Sequence, residues 1–253
     1  MFKHFSAHVI VANSLAIQLL GIDDTTTPPP GGIFERFANG SLTGVFKEYA
    51  ILPFVVNYAI NFAELSTAQI MSTVESYFRV GITTAHDISF SMAEPTVFKA
   101  LGDSLPIDIN SYFWISSADR TNLYNVMENY STNRVKHRGA KFLLDGSIQA
   151  YTALLGSPYW VPKAQQYDNL DNYVYDNTRS CSTESCGQNN FPYQSLLRLF
   201  FKDFHDRGYD VLAHCNGDGI LDNFLDALEY TRNNSQTPTA SNFVVIHGQT
   251  ARD

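Results

Sequence analysis

The stretch VLAHCNGD, Val211 to Asp218, joins a short apolar run to a histidine and then to a polar turn. The run has the apolar character of a buried β-strand, and Asn216-Gly217 marks a turn directly after it. Beyond the turn, apolar side chains recur with helical spacing at Ile220, Leu221, Phe224, Leu225 and Leu228. A strand followed directly by a helix predicts a βα unit with His214 at the carboxyl end of the strand. Such a histidine has two interpretations: a structural side chain, or a ligand for a metal ion.

The alternation of strand and helix recurs over residues 64–253. Strands are predicted near residues 82, 107, 141, 210 and 243, with helices between most of them. This pattern is typical of βα units that build a parallel sheet, so we predict an α/β fold. Polar side chains are predicted to follow the strands at His86, Asp87, Asp145, His214 and His247. The carboxyl ends of parallel strands carry the functional residues of α/β folds, which makes these side chains candidates for a site.

Two segments depart from this alternation. Residues 1–63 contain the stretch PPPGG, Pro28 to Gly32, and do not alternate cleanly. We therefore divide the chain into a loop-rich N-terminal insertion, residues 1–63, and a βα region, residues 64–253. A second insertion is predicted at about Pro158 to Phe191, where Tyr, Asn, Asp and Ser dominate. It contains Cys181 and Cys186, for which a local disulfide and two free thiols both stay open, whereas Cys215 is expected to be a small buried side chain.

The composition limits the classes of function. The 253 residues, 44% of them apolar, are enough for one sizeable core. The net charge of −8 argues against a nucleic-acid partner, which needs clustered lysine and arginine. The most apolar stretch, Ala50 to Ala63, is too short and too polar to span a membrane, so no membrane partner is predicted. Three glycosylation-type triplets, which begin at Asn39, Asn129 and Asn233, lean toward the secretory pathway.

Lys141 is predicted to open the strand KFLL, and a lysine in an apolar strand is costly unless it is neutralised or paired. One interpretation is a lysine at the sheet edge that extends its ammonium to water. The other is a neutral amine that has reacted with carbon dioxide to become a carbamate, which bridges two divalent metal ions. Burial favours the neutral amine. His214 and His247 follow successive strands and are candidates for further ligands.

Six stretches of the chain occur in an order that matches one known family. They are HVIVANSLAIQLLGI (8–22), PPPGGIFERFANGSLTGVFKE (28–48), GITTAHD (81–87), KFLLDGSIQAYTALL (141–155), VLAHCNGDGILDNFLDAL (211–228) and VIHGQ (245–249). Together they resemble the metal-dependent amidohydrolase superfamily, specifically the amidohydrolase family 3 branch that includes N-substituted formamide deformylases. The resemblance spans nearly the whole chain.

The resemblance implies a partial TIM-like (β/α)8 barrel of the metal-dependent hydrolases, with a hydrolase activity on carbon–nitrogen bonds of amides or formamides. Lys141 would be the carbamylated ligand on barrel strand four, and His214 and His247 the metal ligands from strands five and six. The implied cofactor is one or two divalent ions, usually zinc, which activate a water by lowering its pKa. His8 matches a histidine near the substrate side, so it is expected to bind a small amide-type substrate. A surface or turn role is the alternative for His8 and for Asn13, and Glu48 is not expected to face the pocket.

Parts of the family pattern are absent from the sequence. It contains no His-x-His pair for barrel strand one and no residue that matches the aspartate of strand eight. We therefore expect a fragment that lacks barrel strands 1, 7 and 8 and is inactive by itself. The alternative is a non-catalytic relative that serves as a binding or interaction protein. The oligomeric state stays open.

The remaining polar residues are given structural roles. Asp145 and the segment Asn216 to Asp218 are expected to shape turns and cap helices through side-chain hydrogen bonds. His4, His137 and His205 lie in polar surroundings in the sequence and are expected to be exposed to solvent.

Overall fold

The computed structural model describes residues 1–58, 67–92, 94–115, 120–162, 173–175, 187, 189–190, 194–236 and 240–252. The first elements are β1 Phe2–Lys3, β2 Val9–Val11, α1 Ser14–Leu19, β3 Gly32–Arg36, β4 Leu42–Glu48 and α2 Leu52–Tyr58. The four strands form an antiparallel sheet in the order β1-β2-β4-β3. Its core includes the large side chains of Ile10, Phe34, Phe46 and Phe54. Asn13 accepts a hydrogen bond from the backbone N–H of Ala16 at 3.0 Å and caps α1, so the turn role of Asn13 is confirmed.

A parallel sheet with connecting helices makes up most of the remaining described chain. The elements of this part of the chain are α3 Thr67–Arg79, β5 Thr84–Phe90, α4 Pro95–Leu101, β6 Asp108–Ile115, α5 Arg120–Asn129, β7 Val135–Leu143, β8 Trp160–Pro162, β9 Tyr173–Tyr175, α6 Gln194–Asp206, β10 Asp210–Cys215, α7 Asp218–Asn234 and β11 Phe243–His247. Five strands pair in parallel in the order β11-β10-β7-β6-β5 and curl like half of a barrel, whereas β8 and β9 form a separate two-stranded sheet. The predicted α/β fold with a partial TIM-like sheet is confirmed.

Helices α6 and α7 cover one face of the parallel sheet. The buried side chains of α6 are Leu197, Phe200, Phe201 and Phe204, which follow the helical spacing i, i+3, i+4, i+7. They share a core with Phe142 of β7 and with Ala213 and Cys215 of β10. Each fully buried phenylalanine contributes roughly 1.5–3 kcal/mol to folding. This core therefore determines which face of β7 and β10 points to the helices. The side chains on the opposite face of these strands lie outside this core.

Two strand boundaries differ from the prediction. β5 continues through His86 and Asp87 to Phe90 instead of ending at the polar pair. A register shift between Asp87 and Phe90 lets the strand continue and bury Phe90 completely. Lys141 does not open its strand, because β7 begins at Val135 and Lys141 lies near its carboxyl end.

The expectation that His137 is exposed is wrong, because only 6% of its surface is accessible. Alternate side chains of a strand point to opposite faces, so the two charged neighbours of His137 in β7 do not indicate its surroundings. Its ring packs against Phe113 with ring centroids 5.2 Å apart. His205 is only partly exposed and its Nδ1 lies 2.5 Å from the Ser241 hydroxyl, whereas His4 is exposed as predicted.

Some predictions fall outside the described residues. These are the division of the chain between residues 63 and 64 and the state of Cys181 and Cys186. Cys215 is buried, as predicted. Within the part of the chain that the structure describes, no helix is both long enough and apolar enough to cross a membrane.

Candidate metal and substrate site

Lys141 and His214 lie on the face of the parallel sheet that points away from helices α6 and α7. The pairing of β7 with β10 places Lys141 opposite Leu212 and His214 opposite Leu143. Because side chains two residues apart share a face, all four point the same way, opposite to Phe142 and the helix-facing core. Lys141 and His214 are each only 4% exposed. The fold thus buries an amine and an imidazole on one face near the carboxyl ends of neighbouring strands.

His247 joins this pair through an unusual backbone conformation. Regular pairing of β11 with β10 sets His247 opposite Cys215, whose side chain faces the helices. The φ angle of His247 is +79°, in the left-handed region that non-glycine residues seldom occupy. The regular alternation of the strand is broken at this residue, and its ring centroid lies 4.8 Å from that of His214. The strained backbone conformation of His247 therefore occurs where two imidazole rings lie close together at the ends of adjacent strands.

A buried carboxylate orients the ring of His214. The Nδ1 atom of His214 lies 3.1 Å from Oδ1 of Asp145, which is fully buried. An ionised carboxylate only accepts hydrogen bonds, so Nδ1 carries the proton and Nε2 keeps its lone pair. The side-chain amide of Asn216, which donates to the Gly146 carbonyl at 2.9 Å, lies 3.3 Å from that Nε2. This carboxylate–imidazole pairing is the arrangement that usually supports a metal-ligating histidine.

Asp145 also organises the loops around the site. Its carboxylate accepts hydrogen bonds from the backbone N–H groups of Asn216, Gly217 and Leu154 at 2.9, 2.8 and 3.0 Å. The predicted turn-shaping role of Asp145 is confirmed. The expected capping by the segment Asn216 to Asp218 is wrong, because Gly217 is the N-cap residue of α7 and no side chain caps there. The first N–H groups of α7, those of residues 219 and 220, instead donate to the Leu154 carbonyl.

His8 approaches the same place from the antiparallel sheet. Its ring centroid lies 5.2 Å from that of His214, and its Nδ1 lies 2.8 Å from Oε2 of Glu48. The other carboxylate oxygen of Glu48 accepts a hydrogen bond from the Thr152 hydroxyl, which belongs to the loop after β7. Glu48 is 3% exposed and contacts His8, and the expectation that it does not face the pocket stays a prediction. The pair His8 and Glu48 connects the two sheets.

The surroundings shift the pKa values of two groups in the cluster. Burial lowers the pKa of the Lys141 ammonium to about 8, while nearby Cys215 acts weakly in the opposite direction. The pKa of His247 is lowered, mainly by burial and then by His214, Lys141 and His8 around it, with Asp145 opposing. Both shifts favour neutral nitrogen atoms with free lone pairs. Neutral nitrogen is the form of histidine that binds metals.

The sequence-predicted residues fall into two groups. Lys141, His214, His247 and His8 come together at one place, whereas His86 does not join them: it is exposed, stacks on Tyr112 and lies 3.3 Å from the Asn110 amide. Among the described residues, no group of three or more His, Cys, Asp or Glu side chains is arranged to hold a metal ion. The nitrogen donors of this cluster within the described residues are the imidazoles of His214, His247 and His8 and the amine of Lys141. Asp145, Glu48 and Thr152 are partners of these residues that no pattern in the sequence indicates.

One protein-family model matches the chain over its whole length. The family model described as "Amidohydrolase family" matches residues 1–253. The chain belongs to the amidohydrolase family. This amidohydrolase-family chain is 26% identical over 241 residues to the putative amidohydrolase YtcJ of Bacillus subtilis (strain 168), a match that covers 90% of the chain and 40% of that relative.

Solved structures show the same fold. An uncharacterised metal-dependent hydrolase from Pyrococcus horikoshii OT3 matches 92% of this amidohydrolase-family chain with a TM-score of 0.56 and 23% identity. A second uncharacterised metal-dependent hydrolase, from Pyrococcus furiosus, matches 89% with a TM-score of 0.53 and 22% identity. The chain spans 42% of the length of each of these two proteins. At this identity the likeness supports the fold, in which the five parallel strands form part of a TIM-like barrel.

Proposed function

We propose that this chain is part of a hydrolase that cleaves carbon–nitrogen bonds other than peptide bonds, such as those of amides or formamides. In this proposal Lys141, His214 and His247 hold a divalent metal ion. One observation carries the proposal: the rings of His214 and His247 lie 4.8 Å apart at the ends of adjacent strands, and Lys141 is buried on the same face as His214. The family membership and the metal-dependent hydrolases of the same fold support the reaction class. The formamide deformylase-like branch is part of this proposal.

The donor atoms fit a zinc ion. His214 has its proton on Nδ1, toward Asp145, and therefore offers the Nε2 lone pair. The Lys141 side chain has no hydrogen-bond partner among the described residues, and its lowered pKa increases the fraction of neutral amine. That neutral amine would add to carbon dioxide and lose a proton from its nitrogen, which gives a carbamate with an anionic oxygen as the ligand. Two imidazoles and one such oxygen ligand match the preference of zinc for nitrogen and oxygen donors. When bound, the metal supplies a water molecule of lowered pKa as the nucleophile.

The substrate is proposed to be a small amide-type molecule that contacts His8. The support is the position of His8, whose ring lies 5.2 Å from that of His214 and whose side chain is 15% exposed. The Nε2 atom of His8 makes no hydrogen bond within the described residues. His8 therefore offers a polar contact to a molecule beside the proposed metal ligands, held in place by Glu48.

Metal content tests the ligand assignment. Lys141→Ala, His214→Ala and His247→Ala are dialysed in parallel against the same buffer of limiting Zn²⁺ and bicarbonate, and bound zinc is measured by mass spectrometry of the metal. Each is expected to bind zinc at least about tenfold more weakly than the unchanged chain, in line with the loss of a ligand. His4→Ala is the matched control, because His4 is exposed and lies outside the cluster, and its zinc content should stay unchanged. Equal zinc content in all four variants would remove the assignment.

Hydrolysis tests the reaction class. The native protein, isolated from its source with an antibody against this chain, is supplied with N-substituted formamides, other secondary amides and the matching esters. We expect release of amine from at least one amide, abolished by a chelator and restored by zinc. Hydrolysis that continues in the metal-free protein would contradict the proposal.

A further inference from the structure

Glu48 has features that a purely structural surface glutamate lacks. Its carboxylate is fully buried and makes both of its side-chain hydrogen bonds to residues far away in the sequence, His8 and Thr152. Its φ angle is +55°, in the left-handed region that a non-glycine residue enters only when its surroundings enforce it. The backbone at Gly146 comes so close that an added Cβ would lie 2.4 Å from the Glu48 carboxylate. The loop after β7 and the end of β4 are thus built around this carboxylate.

The carboxylate decides which nitrogen of His8 carries the proton. A carboxylate oxygen at 2.8 Å accepts from Nδ1–H, so whenever the ring is neutral this contact favours the proton on Nδ1 and a lone pair on Nε2. Thr152 donates to the other carboxylate oxygen and fixes its orientation. A lone pair on Nε2 can accept a hydrogen bond but cannot donate one. The contact that His8 offers to a molecule beside His214 is therefore specific for a donor.

We propose that Glu48 is a positioning residue that holds His8 in the Nδ1–H form, so that Nε2 accepts a hydrogen bond from the N–H group of the substrate amide. The inference rests on the proposed function for the identity of the substrate. It names the substrate class more closely: amides that carry a hydrogen on nitrogen are bound, and N,N-disubstituted amides and esters lose this contact. His8 and Glu48 form a pair that parallels His214 and Asp145, because in both a buried carboxylate holds the Nδ1 proton.

The test of the positioning role uses the chain labelled with ¹⁵N at histidine. Long-range ¹H–¹⁵N correlation spectra at a pH where imidazoles are neutral report which ring nitrogen carries the proton, and His8→Gln assigns the His8 signals. In the unchanged chain the Nδ1–H form of His8 is expected to exceed the Nε2–H form at least about tenfold, as a charge-assisted hydrogen bond predicts. In Glu48→Gln that excess should fall at least threefold, because an amide can either accept from Nδ1–H or donate to a bare Nδ1. His214 should keep its own Nδ1–H form in both proteins and serves as the internal control.

A merely structural role for Glu48 predicts a different result. Glutamine is isosteric with glutamate and can retain a bond to Thr152, so the urea midpoint of Glu48→Gln should stay close to that of the unchanged chain while the proton position on His8 changes. An unchanged proton position with a lowered midpoint would overturn the inference and leave Glu48 as a structural link. An Nε2–H form in the unchanged chain would overturn it as well.

Kinetic measurements with two substrates distinguish a failure of this inference from a failure of the proposed function. With the native protein, kcat/KM for an N-monosubstituted formamide is expected to exceed that for its N-methylated analogue at least about tenfold, and Glu48→Gln should reduce this ratio mainly through KM. Equal rates for both substrates would overturn the inference while amide hydrolysis, and with it the proposed function, still stands. If no amide is cleaved, the proposed function fails, and the spectra of His8 still decide whether Glu48 positions its ring.

Discussion

Replacement of Asp145 by alanine should destabilise the chain strongly, because one buried carboxylate satisfies four donors. These are Nδ1 of His214 and the backbone N–H groups of Asn216, Gly217 and Leu154, at 2.8–3.1 Å. A buried donor left without an acceptor costs roughly 1–3 kcal/mol. The three backbone groups alone, each at the low end of that range, predict a loss of at least about 3 kcal/mol in the free energy of unfolding. That is a large share of the roughly 5–15 kcal/mol available to a typical folded protein.

Urea unfolding followed by circular dichroism measures this loss. Asp222→Ala is the matched control, since the Asp222 side chain is 65% exposed and pairs with the exposed Arg252, and exposed ion pairs contribute about 0–1 kcal/mol. Asp145→Asn keeps the shape of the side chain but places an amide N–H group against one set of donors, so its free energy of unfolding should fall roughly half as much as that of Asp145→Ala. This variant remains measurable if the alanine variant does not fold. A loss below about 1 kcal/mol for Asp145→Ala, equal to that of the control, would refute the role of Asp145 as the acceptor that organises the site.

Three further outcomes can be measured in the same way. Phe204→Ala, which removes a fully buried ring, should lower the free energy of unfolding by about 3–5 kcal/mol. Phe78→Ala, at a side chain that is 52% exposed, should lower it much less. Similar losses in both variants would contradict the assignment of the core. Gly217→Ala should lower the urea midpoint, because the new Cβ would lie 1.8 Å from the Leu154 carbonyl oxygen, and an unchanged midpoint would show that the loop is looser than its geometry indicates. Burial lowers the pKa of His137 to about 4, below its unfolded value of 6.5, so the unfolded chain binds more protons between these values and stability should fall as pH drops from about 6.5 to about 4. His137→Phe should flatten that fall, and an identical pH profile would contradict the burial of a neutral imidazole.

Periodicity in the sequence predicted the parallel sheet because apolar spacing directly reflects which residues face a core. The four residues Leu197, Phe200, Phe201 and Phe204 follow helical spacing and are all buried. The meeting of His214 and His247 was also predictable, since parallel strands align their carboxyl ends. The left-handed φ of His247 was not predictable, because it is a local departure from strand geometry that no rule of residue spacing contains.

The partners of the site residues could not be predicted, for a physical reason. Asp145 and His214 are 69 residues apart in the sequence, and Glu48 and Thr152 are 104 apart. The first contact depends on which strands of the parallel sheet become neighbours, and the second on how the two sheets pack together, whereas propensity and periodicity describe only local structure. His137 shows the same limit on a smaller scale, because its charged neighbours in the sequence lie on the other face of the strand and concealed its burial.

The proposed metal site consists of Lys141, His214 and His247 holding one divalent ion. Crystals of the protein grown with Zn²⁺ and bicarbonate, measured at the zinc absorption edge, test this claim most directly. We expect an anomalous peak about 2.0–2.1 Å from Nε2 of His214 and from a ring nitrogen of His247, with a carbamate on Lys141 as a further ligand. Zinc bound only elsewhere, for example at the exposed His4, with no density between the two rings and an unmodified Lys141, would contradict it.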